Sequence, residues 1–258
     1  MKKILITLTI ILTIIIFAFP IFTVFSLAFE EGVFSYIEAI KNEEALEAIK
    51  LSFLVAFIAI PINLIFGIAA SWCIAKFEFR GKKFLTSLID IPFSVSPVIS
   101  GFIFLILFGI DSIIGKWLVA RDMQFIFAVP ALVLATLFVT LPYIARELIP
   151  VMEEHGNEQE EAALSLGASG IKTFYYITLP NIKWGLLYGL LLSLSRAFGE
   201  FGAVSVVSGH IRGETTTIPM HVEILYNEYN YVGAFAVASI LAFLAITTLI
   251  IKKFFYKQ

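Results

Sequence analysis

The chain has 258 residues, 59% of them hydrophobic and 15% charged, with a mean hydropathy of +0.94; a soluble domain of this length needs no such apolar fraction. A formal net charge of −2 leaves no global basic field for nucleic acid, and one cysteine, Cys73, excludes an intramolecular disulfide. The 26 phenylalanines fall in long apolar runs rather than at alternating positions, which points to helices in lipid and away from a transmembrane barrel.

A membrane-crossing helix needs about 20 apolar residues, and six segments supply them: 4–28, 50–75, 84–109, 125–145, 184–208 and 232–251. The first follows Met1-Lys2-Lys3 and stays apolar to Phe29. That is longer than the roughly 7–15 apolar residues of a signal peptide and lacks a small-x-small cleavage site, so a retained span is expected. The stretch Glu30–Lys50, with six glutamates and two lysines, is expected to face outward. In the second span, Pro61 beside Asn63 predicts a kink, and Cys73 is expected to serve packing.

The third span contains Asp90-Ile-Pro92-Phe-Ser94-Val-Ser96-Pro97. Its prolines free backbone groups that are tolerable at membrane depth only against protein or a water-filled path. Two readings stand: Ser94, Ser96 and the freed N–H groups bond an oxyanion, or the helix is kinked and its serines bond their own backbone. Asp90 is expected to pair with a basic loop residue. Pro130 and Pro142 in the fourth span predict kinks.

The loop 146–183 is the longest between spans. Asn157, with Glu160 three residues on, fits a capping box, and Glu158, Glu160 and Glu161 suit the positive end of a helix dipole. Ala162, Ala163, Leu164 and Leu166 give a compact apolar surface, and Gly167 can take the left-handed conformation that stops the helix. A second short helix is predicted from about Ile171 to Leu179, ended by Pro180. Such a helix–hinge–helix suits a groove on another protein, although an amphipathic helix lying on the membrane has similar residues.

In the fifth span Arg196 lies twelve residues past Trp184, about 18 Å along a helix, and Glu200 is placed to pair with it. Either the pair lines a solute path, or it is a buried ion pair that fixes packing or a subunit interface. Tyr226, Tyr229 and Tyr231 suit an aromatic belt where the sixth span begins. His155, His210 and His221 are too scattered for a metal site and are expected in loops. One set of loop faces carries Lys2, Lys3, Lys76, Arg80, Lys82, Lys83, Arg146, Lys172, Lys183, Lys252, Lys253 and Lys257; the other carries only Lys41, Lys50, Lys116, Arg121 and Arg212. The positive-inside rule therefore places both termini in the cytoplasm with loops 76–83 and 146–183. The whole of 1–258 is expected to form one all-α transmembrane domain. No internal repeat supports an inverted-repeat secondary transporter, and no His/Asp/Glu cluster supports a membrane enzyme.

Glu161-Ala162-Ala163, Gly167, Ile177, Leu179 and Pro180, at their spacing, match the signature of the membrane subunits of ABC importers. The stretches Ala75–Lys82, Leu88–Pro97, Ser193–Gly202 and Val207–Tyr229 resemble the sulfate/thiosulfate permeases of that family, most of all the W-type subunit. The resemblance implies a type I importer permease in a bacterial-type inner membrane. Glu161, Ala162, Ala163 and Gly167 would contact an ATP-binding cassette ATPase dimer, with Ile177, Leu179 and Pro180 holding the second helix. It also implies a second permease subunit and an extracytoplasmic sulfate-binding protein, for which Gly209–Asn230 is a docking candidate or a plain connector. Ser94, Ser96, Pro97, Arg196 and Glu200 are the candidate anion path. ATP and Mg would sit on the partner: around Lys172-Thr173 a phosphate loop needs glycine where Leu166 and Ile171 stand. A molybdate/tungstate permease working as a homodimer is the alternative, since Arg196–Gly202 resembles those proteins too.

Overall fold

The computed structural model describes residues 2–255; Lys257, counted among the basic residues above, lies outside them. Twelve helices lie within these residues: α1 Lys2–Ala28, α2 Val33–Lys41, α3 Glu43–Lys76, α4 Lys82–Ser94, α5 Pro97–Phe108 and α6 Ile113–Val119, then α7 Val129–Glu154, α8 Glu158–Ser165, α9 Gly170–Phe198, α10 Gly202–Ser208, α11 Ile218–Asn227 and α12 Tyr231–Phe255. No strand occurs among the described residues. Five helices (α1, α3, α7, α9 and α12) are long and apolar enough to cross a membrane, and α4 with α5 forms a sixth, broken candidate.

The expected span at 84–109 is therefore not one rod: α4 and α5 meet at 105°. Pro97 pushes Ser96 out of helical geometry, and Val95 and Ser96 are extended, at φ/ψ of −98/132° and −58/133°. The fourth span runs on to Glu154, so Arg146 is helical, and Pro130 lies in the first turn of α7 instead of kinking it. The fifth begins at Gly170 and stops at Phe198; residues 199–201 are not helical, and α10 follows. Pro180 does not end a helix. A π turn at Phe174–Thr178 absorbs its missing donor, with the Leu179 N–H reaching the Phe174 carbonyl, and the helix continues.

Contacts divide the chain into two compact units, Met1–Ser52 with Ile211–Thr247, and Phe53–His210 with Thr248–Gln258. In the first unit Ala45, Ile218 and Val237 form a core that Ile49, Val222, Leu225, Ile240 and Leu241 surround. The Ser52 hydroxyl accepts the Ile218 N–H at 2.8 Å, satisfying an amide that the start of α11 leaves free. Arg212 pairs with Glu228 and, at 3.4 Å, with Glu44. His221 is a correction to the loop assignment: it is buried on α11, and burial pulls its pKa below the usual imidazole value. Tyr231 does gather Tyr226 and Tyr229 around it, at ring distances of 5.1 and 6.2 Å. Within α1 the apolar side chains from Ile4 to Phe22 are exposed, as suits a helix whose solvent is hydrocarbon.

In the second unit α7 is the hub. It packs against α9, α4, α5 and α10, and on α3 the Asn63 amide donates to Thr140 Oγ1 at 2.7 Å and the Leu137 carbonyl at 3.1 Å. Glycines bring the backbones close: a Cβ at Gly67 would sit 2.6 Å from Ile144 Cγ2, and one at Gly101 would sit 2.8 Å from the Ala203 carbonyl oxygen. Gly101→Val is therefore expected to lower stability by about 1–3 kcal/mol through overpacking of α5 on α10. A fall in Tm of the detergent-purified protein checks this, with Gly170→Val, at an open helical site of ordinary φ, as the control for expression and handling.

Candidate functional site: the α7–α9 turn and two interrupted spans

Because 146–154 and 170–183 are helical, the turn between long helices is reduced to residues 155–169, with α8 inside it. α8 starts where expected, but not by the expected cap: Asn157 makes no side-chain capping bond. Glu160 is engaged elsewhere, paired with Lys76 Nζ at 3.1 Å and accepting from the Thr178 hydroxyl at 3.2 Å. The stop is as predicted. Gly167 has φ +87°, its N–H reaches the Leu164 carbonyl and the Ala168 N–H reaches the Ala163 carbonyl, the paired bonds of a Schellman motif. The next helix begins at once, with the Ser169 hydroxyl facing the Lys172 N–H.

This geometry sorts the signature residues by exposure. Glu161, Ala162 and Gly167 are exposed and Ala163 is half-buried. Around them Leu164, Leu166, Ile171, Tyr175 and Tyr176 stand out, Leu166 being 90% exposed. The turn and the start of α9 thus carry a group of exposed apolar side chains. Leu179 packs against the cluster of Ile144, Leu148, Met152 and Ile182 at the base of the turn, with Trp72 and Val151 beside it. Ile177 is half-buried and Pro180 exposed. The turn is thus a small outward helix seated on a packed base.

The remaining candidates lie at the two helix breaks. Ser94 and Ser96 are exposed, and the Ser96 side chain makes no capping bond. It is Ser100, buried one turn on, whose hydroxyl bonds the backbone, at the Ser96 carbonyl. Arg196 occupies the last turn of α9, a helix about 43 Å long at 1.5 Å per residue. Its guanidinium meets Glu200 Oε2 at 2.6 Å across the break, and Glu200 Oε1 accepts the Ala203 N–H at 2.7 Å. The Glu200 side chain is fully buried, whereas Arg196 keeps 28% of its own exposed. The breaks abut: a Cβ on Gly202 would lie 3.0 Å from Pro97 Cβ. So Pro97 and the Arg196–Glu200 turn are brought together in one place.

Asp90 does find a basic partner, Arg146 at 2.7 Å, though from within α7 and not from a loop. Two residues were not singled out from the sequence. Ser193, one turn before Arg196, has a buried hydroxyl with no partner among the described residues. Lys76, counted simply as a loop cation, is the buried partner of Glu160. No group of three or more His, Cys, Asp or Glu suited to a metal occurs among the described residues.

Against known proteins, a family profile described as "Binding-protein-dependent transport system inner membrane component" matches residues 63–257. The sulfate transport system permease protein CysW of Synechocystis sp. is 46% identical over 98% of this chain and 91% of its own length. CysW of Escherichia coli K12 is 46% identical over 90% and 80%, and CysT of the same organism 33% over 80% and 74%. In fold, the chain superposes on a chain of a bacterial alginate ABC transporter complex with a TM-score of 0.78 at 17% identity, covering 98% of this chain and 92% of that one. Its long apolar helices make it a multi-pass membrane protein, and the chain belongs to the binding-protein-dependent transport system inner membrane components, within the sulfate transport system permeases.

Proposed function

We propose that this chain is one permease subunit of an ATP-driven importer of sulfate or thiosulfate, with α8 as the helix through which a separate ATPase dimer drives it. The observation that carries the reading is the α7–α9 turn: a short helix closed by a Schellman glycine, with Leu166 exposed at its end and Tyr176 exposed on the start of α9, on a base packed into the long helices. A rigid seat of this kind passes a partner's motion to the spans as a rigid-body shift. Relatives named for sulfate transport favour sulfate over molybdate or tungstate, and their two kinds, CysW and CysT, support a heterodimer of permeases. The family description supports a separate extracytoplasmic binding protein. The basic bias of the loops supports both termini, and the α8 turn, on the cytoplasmic side of the inner membrane.

The anion path runs past the abutting breaks. There Arg196 offers an accessible positive edge while Glu200, buried behind it, limits how tightly a divalent anion is held. Ser94 and Ser96 offer hydroxyl groups, as does Ser193. The test is uptake of labelled sulfate by proteoliposomes holding both permeases, the ATPase and the binding protein. Sulfate should accumulate only with ATP, thiosulfate should compete, and molybdate at equal concentration should not; competition by molybdate alone would reverse the substrate assignment. The purified permease without the ATPase should show no ATP hydrolysis above the liposome background, and intrinsic hydrolysis would contradict the division of labour.

A further inference from the structure

α8 is joined covalently to α7 through Gly156 (φ +60°) and to α9 through Gly167 (φ +87°). Both joints turn at glycine, so a push on α8 needs other contacts to reach the helices as a unit. Two of these are hydrogen bonds to α9, from Thr178 to Glu160 and from Asn181 to Gln159 at 2.8 Å. The third leads to a different span. Lys76, the last residue of α3, donates to the Gly156 carbonyl and pairs with Glu160 at 3.1 Å. Its side chain is only 6% exposed, and that of Glu160 14%. Among the described residues this is the only ion pair that α8 makes. It differs in kind from Lys82–Glu78 a few residues on, where the glutamate is 89% exposed and solvent screens most of the attraction. Water screens a pair this buried far less, so its geometry holds α8 at a fixed position.

We propose that Lys76 is a positioning residue for energy coupling: its pair with Glu160 fastens α8 to the end of α3, so that motion imposed on α8 moves that span together with α9. This rests on the reading of α8 as the ATPase-contacting helix. Leu64, Ile68, Trp72 and Ala75 are the α3 residues that pack against the adjoining apolar cluster. The lysine supplies what an apolar residue cannot, one ammonium that holds a carbonyl at the α7–α8 joint and a carboxylate in the first turn of α8.

The experiment compares wild type, Lys76→Met, Lys76→Arg and Glu160→Gln in the complete reconstituted importer, measuring ATPase co-purification, ATP hydrolysis and sulfate uptake. Met keeps the volume of the stem and removes the charge; Gln keeps an acceptor for Thr178. Expected is normal co-purification in all, with sulfate moved per ATP reduced about tenfold in Lys76→Met and Glu160→Gln, the size of a typical coupling term, and largely restored in Lys76→Arg. Wild-type transport per ATP in both charge-removing variants would overturn the proposal. So would parallel loss of the ATPase from the complex, which would make the pair part of docking or stability instead of transmission. The underlying docking assignment fails separately, if the exposed face of α8 proves dispensable for ATPase binding while Lys76→Met still uncouples.

Discussion

Gly167→Asp is expected to abolish most ATP-driven uptake, by about tenfold or more, while the protein still inserts and its long helices stay folded. The residue sits at φ +87° with open space where a Cβ would go, so the obstacle is conformation and charge, not collision. Of the residues with side chains, Asp and Asn tolerate the left-handed region best, where others lose about 1–2 kcal/mol. The Schellman stop therefore survives in large part. What changes is the surface: a carboxylate joins Glu158 and Glu161 on an exposed, already acidic helix and lies at its negative dipole end. Gly167→Asn shares the backbone cost without the charge and is expected to retain most uptake. Uptake in proteoliposomes, alongside ATP hydrolysis by the same complexes, checks both; equal loss in the two variants would place the requirement in the turn's conformation, and equal retention would remove Gly167 from the contact surface.

The second large effect belongs to Arg196→Gln. Glu200 is fully buried, and its carboxylate is held by the Arg196 guanidinium and the Ala203 N–H. Removing the arginine strands that charge, which in comparable pairs costs about 3–5 kcal/mol, so the single variant should be poorly assembled whatever else Arg196 does. The double variant Arg196→Gln/Glu200→Gln removes the stranded charge and keeps an acceptor for Ala203. If the arginine serves the anion, the double variant regains assembly and Tm but not sulfate flux. If the pair only fixes the break in the helix, flux returns with stability, and the path must be sought elsewhere. The exposed edge of Arg196 beside a fully buried Glu200 is the geometry that favours the first result.

How much of this was legible in the sequence follows from what each feature depends on. Membrane helices depend on long apolar runs, so α1, α12 and the end of α3 could be placed to within a few residues, whereas α3 starts at Glu43, ahead of the apolar run expected from 50. The stop at Gly167 depends on one residue's conformational freedom and was equally plain. The break between α9 and α10 was hidden because 184–208 is predominantly apolar and lacks proline; Gly199 and Gly202 around Glu200 were the available sign. Pro180 misled in the opposite sense, because a π turn lets a helix pass the proline, whose missing N–H would otherwise leave a carbonyl unpaired within an α-helix. Asn157 and Glu160 had capping-box spacing, yet the carboxylate is taken by Lys76, a partner 84 positions away that local spacing cannot reveal. For the same reason Lys76 and Arg146 looked like loop cations: charge bias locates a side of the membrane, not the contact each cation makes.

The central claim is that the ATPase seats on α8, and proximity tests it most directly. Leu166→Cys, at a side chain 90% exposed on the turn, in a background with Cys73→Ser, provides one reactive thiol on the docking face. With a short thiol-to-amine cross-linker in the assembled importer, it should join the permease to the ATPase subunit, and the yield should change when ATP is added. Thiol labelling of the permease with no ATPase adduct, in complexes that still move sulfate, would contradict the account.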